Sequence, residues 1–298
     1  MLTLVTGVTG EVGRRFVPRL LRRTAPGDTV RVLVRDEERG APFAALGAEV
    51  AVGDLRDEKS VLAALGGADA VVNIAAAFRG VPDEEAWAVN RDGALTLGRA
   101  ARDSGVRRFV QVSTNLVYGA GRGRPLTEDD EPVPGGPLWG AYSESKAEAE
   151  AGLLALHDGE RIVDGRVTDG QGMAVRIGAL AFVYGDGDPH LAQALRWAAH
   201  WAGNQRLQMV HHADVAQGLI RLLYAPGRAA GKYNIADDAP LTAVEAHQIN
   251  GVPVPPGLAG RTDPDPWYGI ASTLRIRDEL GFRPLYPSVW TARDAGAL

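Results

Sequence analysis

The opening of this chain constrains its fold more than any other stretch. Leu2-Thr3-Leu4-Val5-Thr6 is a short apolar run, Gly7, Gly10 and Gly13 follow at intervals of three, and Phe16, Val17, Leu20 and Leu21 then recur with helical period. That succession predicts strand, tight turn and helix. Glycine is needed where the backbone takes a positive φ or comes into contact with a pyrophosphate, and the amides of a helix's first turn face such an anion. Gly7, Thr9, Gly10, Glu11, Val12 and Gly13 are therefore the candidate dinucleotide cradle. Their spacing is Gly-x-x-Gly-x-x-Gly, not the commoner Gly-x-Gly-x-x-Gly. With 37 glycines in the chain, three of them do not decide the matter alone.

The alternation continues. A second strand over 28–35 ends at Arg35, and the charged turn Asp36-Glu37-Glu38-Arg39 follows. At the end of strand two an acid accepts the ribose 2′-hydroxyl of NAD, whereas an arginine suits the 2′-phosphate of NADP. Arg35 favours NADP over NAD, with a merely solvated turn as the alternative. A third strand over 48–52 leads into Gly53-Asp54-Leu55-Arg56-Asp57, where Asp54 either meets the adenine amino group, with Leu55 beside it, or caps the next helix. The continuously apolar run Asp69–Ala77 predicts a central parallel strand, and Ala75 and Ala76 at its end leave room for a cofactor. A helix over 83–104 carries Asn90, read as structural, and a strand over 107–114 follows. Repeated βα units imply a right-handed, doubly wound parallel sheet.

A Gly/Pro-rich, acidic loop over 119–140 reads as a lid, a binding loop or disorder. After it come a helix over 141–156, a polar excursion over 157–172 and a strand over 173–177. Beyond Gly178 the pattern loosens: helices over 190–201 and 214–224, strands over 206–210 and 232–236, a Pro/Gly-rich stretch over 251–266, and a helix over 272–280 stopped by Gly281 and Pro284. The expected architecture is α/β, a Rossmann-like doubly wound parallel sheet with a smaller C-terminal substrate-binding lobe. Residues 1–178 are mainly dinucleotide-binding and 179–298 mainly substrate-binding, with some segments returning to the sheet.

Composition narrows the chemistry. A formal net charge of −5 over 298 residues gives no overall basic field, which argues against a nucleic-acid partner. The absence of cysteine excludes disulfides and thiolate catalysis, and no apolar run approaches the roughly 18 residues of a membrane span. No metal is expected, and the setting expected is the cytoplasm. Of 32 basic residues only Lys59, Lys146 and Lys232 are lysine, so a lysine raises the question of what an arginine could not do in its place.

One of them stands in Tyr142-Ser143-Glu144-Ser145-Lys146, where a phenol and an ammonium share a helix face one turn apart. A phenol is a poor base at neutral pH, but a fixed cation favours its phenolate and brings its pKa toward the working range. The ammonium can also donate to a ribose hydroxyl as a slim point charge, which a guanidinium cannot imitate. A partner hydroxyl is available in Ser113 or Thr114, and Thr114 lies nearer the C-terminal mouth of the sheet, where ligands bind.

Taken together, Thr6-Gly7-Val8-Thr9-Gly10-Glu11-Val12-Gly13, Gly53-Asp54-Leu55, Val112-Ser113-Thr114 with Val117-Tyr118-Gly119, Tyr142 with Lys146, Arg176 ahead of Val183-Tyr184-Gly185, and His212-Ala213-Asp214-Val215-Ala216 resemble an extended short-chain dehydrogenase/reductase of the NAD-dependent epimerase/dehydratase family. The tail Leu280-Gly281-Phe282-Arg283-Pro284 extends the likeness over nearly the whole chain. The resemblance implies Tyr142 as acid/base, Lys146 on the ribose, Thr114 polarising the substrate oxygen, and Gly7, Gly10, Gly13, Arg35 and Asp54 on the dinucleotide. Asn115, Arg176 and Arg206 are the substrate candidates. The chain departs from the nucleotide-sugar dehydratases of that family, which carry Asp-Glu after the threonine where Asn115-Leu116 stands here, so dehydration is not expected. The stretch between Gly185 and Arg206 is also shorter than in typical sugar-nucleotide epimerases. The reading is an NAD(P)-dependent ketoreductase or dehydrogenase acting on a small sugar-like or other hydroxy or keto compound, with a homodimer compatible with it. A sugar epimerase is the alternative, and a non-catalytic cofactor-binding sensor a weaker one, disfavoured because the Tyr/Lys pair is kept.

Overall fold

The computed structural model describes the chain apart from residues 79, 120, 134–139, 158, 164–165 and 227–230, with backbone alone over 159–163 and 166–171. Parts of the loop expected over 119–140 and of the excursion over 157–172 thus lie outside the described residues. Seven strands form one sheet: β1 (Leu2–Thr6), β2 (Thr29–Val34), β3 (Glu49–Val52), β4 (Ala70–Asn73), β5 (Arg108–Thr114), β6 (Ala174–Leu180) and β7 (Gly231–Ile235). Their order is β7-β6-β5-β4-β1-β2-β3 and every pairing is parallel. All strand C-termini therefore open on one edge, and the order reverses between β1 and β4, the crevice where ligands bind in such sheets.

The apolar runs become central strands because helices cover both faces. Leu4 and Leu33 join one buried cluster with Val61, Leu97 and Leu153, while Val5, Val32 and Val34 join the other with Phe16, Leu20 and Leu219. Neighbouring residues point to opposite faces, as the two-residue period of a strand requires. The helix Glu11–Leu21 packs beside His212–Tyr224 on one face, and Glu58–Leu65 beside Ala94–Asp103 on the other. The expected long helix over 83–104 is present with a π segment at Ala88–Gly93. Within it buried Asn90 donates to Ala77 O and Ser145 Oγ and accepts from Ala77 N, tying the segment that follows β4 to the helix Gly140–Leu154.

The C-terminal half departs from expectation in its details. The helix expected over 190–201 is two short turns, His190–Gln193 and Leu195–Ala198. The strand expected over 206–210 divides: Arg206–Leu207 pairs antiparallel with Leu241–Thr242, and Met209–His211 pairs parallel with Phe182–Tyr184. The excursion contains an antiparallel hairpin, Gly159–Val163 with Arg166–Gln171. Helices Ala243–Ile249 and Val289–Asp294 complete a third apolar cluster around Tyr184, Met209, Leu258 and Val289. Among the described residues no helix is long and apolar enough to cross a membrane.

Candidate active site

At the β1 turn, Gly7 takes φ +68°, and a Cβ there would lie 2.3 Å from Ala75 N. On Gly13 a Cβ would lie 2.2 Å from Gly7 O. These two glycines let β1, β4 and the first helix close on one another. Gly10 is different, since the nearest atom to a Cβ there is 3.5 Å away. It is the N-cap of Glu11–Leu21, and no side chain caps the helix, so its first-turn amides are left for an anion. The room at Gly10 and the uncapped amides fit a pyrophosphate.

A cavity of about 860 Å³ spreads from this turn over the C-terminal edge of the sheet. Gly7, Thr9, Gly10, Glu11, Val12, Gly13, Arg35, Asp54, Leu55, Ala75 and Ala76 all line it, as do Thr114, Asn115, Tyr142, Lys146 and Arg206. Arg176 does not. It sits in the first half of β6, fully buried, with its guanidinium donating to the carbonyls of Ala225 and Pro226, so it fastens the sheet to the end of the helix His212–Tyr224 and contacts no substrate space.

The helix Gly140–Leu154 presents Tyr142, half-buried with its ring edge-on to Phe78 at 4.7 Å. One turn on, Lys146 is 2% exposed and its Nζ donates to Val112 O at 3.2 Å and Ala75 O at 3.4 Å. Burial lowers its ammonium to about 8, with nearby Glu150 opposing the shift. Thr114 ends β5, and its Oγ accepts from Leu116 N at 3.2 Å to open the turn Asn115–Tyr118. Ser113 also lines the cavity, and its buried Oγ has no hydrogen-bond partner among the described residues.

At the β2–β3 end the cavity is basic, lined by Arg35, Arg39 and Arg56. Asp36 is engaged elsewhere: it caps the helix Glu37–Ala44 and pairs with Arg39 at 2.9 Å. Asp54 is not a helix cap, because Asp57 caps Glu58–Leu65. Its carboxylate instead accepts from the Arg56 guanidinium at 2.7 Å, which holds the acid down at about 2.

The opposite end holds residues that no local pattern announced. Asp188 accepts from His190 Nδ1 and His212 Nε2, each at 2.7 Å, and lies 3.9 Å from Arg15. Burial alone would raise this carboxyl, but the two imidazole hydrogen bonds hold it well below the usual range. Asp188 and His190 line the cavity with Phe78, Phe182, Trp197 and Trp201. They went unseen because the bonding partner, His212, is remote in sequence and the aromatic residues belong to three separate segments.

The sequence profile of the NAD dependent epimerase/dehydratase family matches residues 3–236. The chain belongs to that family. Among its curated relatives, the 4-hydroxy-2-methyl-3-oxo-4-farnesyl-3,4-dihydroquinoline-1-oxide ketoreductase of Stigmatella aurantiaca is 32% identical over 81% of this chain and 70% of its own length. A dTDP-glucose 4,6-dehydratase of Streptomyces niveus is 30% identical over 95% and 88%. A short-chain dehydrogenase/reductase superfamily protein of Agrobacterium tumefaciens, solved with bound NAD, superposes with a TM-score of 0.75 at 25% identity, covering 99% of this chain and 96% of that one. The protein is accordingly an NAD(P)-dependent epimerase/dehydratase family enzyme of the extended short-chain dehydrogenase/reductase type, with ketoreductase, dehydratase and epimerase relatives.

Proposed function

We propose that this enzyme moves a hydride between NADP and a ketone or secondary alcohol, with Tyr142 as the acid/base. The reading is carried by one observation: Tyr142, Lys146, Thr114 and the glycine turn line a single cavity. When bound, the dinucleotide supplies or takes up the hydride. Tyr142 gives its phenolic proton to the carbonyl oxygen in reduction and takes it back in oxidation, so a ketone, NADPH and a proton balance against an alcohol and NADP⁺. Thr114, helped by the orphaned Ser113 hydroxyl, donates to that oxygen, and Lys146 holds the ribose and favours the phenolate. Gly7, Thr9, Gly10, Glu11, Val12 and Gly13 hold the pyrophosphate, Asp54 and Leu55 flank the adenine, and Ala75 and Ala76 make room for the rings. Asn115 and Arg206 stand at the substrate. Asn115-Leu116 supply no acid and base for eliminating water, which together with the ketoreductase relative favours net redox over dehydration.

NADP is preferred on this reading because Arg35 lines the adenosine end outside the Asp36–Arg39 and Asp54–Arg56 pairs, while Asp36 is taken up by a helix terminus. The division of labour proposed is residues 1–178 for cofactor and 179–298 for substrate, supported by the separate apolar cluster of the C-terminal half.

Fluorescence titration should give NADPH an affinity roughly tenfold or more above NADH, and Arg35→Asp should erase the difference, as loss of a hydrogen bond to a charged group implies. In a ketone and sugar screen, Tyr142→Phe should cut turnover by about 10²–10⁴ while binding cofactor normally. Full turnover by that variant sinks the mechanism, and product without net cofactor consumption makes the enzyme an epimerase.

A further inference from the structure

The end of the cavity away from the arginines has a chemistry of its own. From Tyr142 an edge-to-face series of rings runs along its wall: Phe78 at 4.7 Å, then His190 at 6.4 Å from Phe78, Phe182 at 5.7 Å from His190, and Trp197 at 6.1 Å from Phe182. Trp201 lines the same end. Such walls offer large rigid apolar area and select flat rings that meet them face-to-edge.

The charge here is wrong for a nucleoside diphosphate. Two phosphates call for several cationic donors, yet beyond Arg35, Arg39 and Arg56 the one arginine among the described lining residues of the cavity is Arg206. Asp188 fixes the imidazole: its Oδ1 accepts from both His190 Nδ1 and the His190 backbone amide. The ring is thus set within the aromatic wall, with Nε2 left as its polar point.

We propose, building on the oxidoreductase reading above, that the substrate is an uncharged aromatic or fused-ring ketone and not a nucleotide-linked sugar. Its rings pack along Phe78, Phe182 and Trp197, its carbonyl meets Tyr142, and a polar ring substituent meets His190 Nε2. His190 is a positioning residue in this arrangement.

The test is calorimetric titration of the NADP⁺-loaded enzyme with 2-acetylnaphthalene, dTDP-glucose and UDP. The aryl ketone should bind at least about tenfold more tightly than either nucleotide. Phe182→Leu and Trp197→Leu should each weaken the ketone by about three- to tenfold, the value of an aromatic pair, with the affinity for NADP⁺ unchanged. Tighter binding of a nucleotide, no binding of the ketone, or variants that bind the ketone like the parent would each overturn the proposal. Hydride transfer is read separately by NADPH consumption. A ketone that binds as stated without being reduced defeats the oxidoreductase reading and leaves the binding class standing, whereas turnover of dTDP-glucose with weak ketone binding does the reverse.

Discussion

Lys146 carries its charge in a place that resists charge. It is 2% exposed, and the two carbonyls that receive its Nζ do not restore what burial removes, so its pKa falls from 10.5 to about 8. Because the folded value lies below the unfolded one, the destabilisation is complete below about pH 8 and is relieved as pH rises from about 8 to 10.5. Lys146→Met is therefore expected to stabilise the cofactor-free protein at pH 7 by on the order of 2 kcal/mol while cutting turnover by about 10² or more. Urea denaturation at pH 7 and pH 10 checks the first half: the gain should shrink at the higher pH, and a variant less stable than the parent at pH 7 contradicts the argument. That Tyr142 and Lys146 line one cavity was readable in the sequence because a helix places residues four apart on one face. Arg176 was misread because sequence does not say whether a strand residue reaches the ligand edge or the far half of the sheet.

The loop bearing Asp188 is clamped to the first residue of the helix His212–Tyr224 and lies close to Arg15 on the helix Glu11–Leu21. Burial lowers the His212 pKa below 6.5 against the opposing pull of Asp188. Below about pH 6.5 the unfolded chain gains a proton that the folded chain refuses, so stability falls with pH; the depressed Asp188 adds a second loss below about pH 4. Calorimetry between pH 7.5 and 5, a range set by the roughly 6.5 reference value of histidine, should show a falling Tm. His212→Gln should flatten that limb while costing about 1–3 kcal/mol at neutral pH for the weakened donation to Asp188 Oδ2, the Oδ1 bonds from His190 being kept. An unchanged slope would remove His212 from the account. Elements were legible in proportion to how far local pattern suffices: β1, β4 and β6 are near-continuous apolar runs, whereas Arg206–Leu207 and Leu241–Thr242 are two-residue strands that exist only through each other. The helix Ala243–Ile249 has a local signal as well, since Thr242 and Glu245 form a capping box.

For the molecule as a whole, function depends on the order of strands turning round between β1 and β4, since that reversal opens the crevice which the glycine turn fills. Gly7 and Gly13 close the fold there, but Gly10 does not: its φ of −77° and ψ of 171° suit any residue, and a methyl would meet no protein atom nearer than 3.5 Å. Stability and ligand binding therefore part company at this one position. A cofactor that binds only the folded chain should add about 2.7 kcal/mol at a hundredfold excess over its Kd, raising Tm by roughly 5 °C in a chain of this size. Gly10→Ala should leave the cofactor-free Tm within about 1 °C of the parent, as an unstrained surface change does, yet lose most of the rise on adding NADP⁺, because the new methyl stands where the pyrophosphate approaches. Gly13→Ala should lower the cofactor-free Tm itself, since its methyl has only the backbone of Gly7 and Val8 to displace. Differential scanning fluorimetry with and without NADP⁺ separates the two, and a Gly10→Ala protein that keeps the full ligand-induced rise would show that the dinucleotide does not lie on this turn.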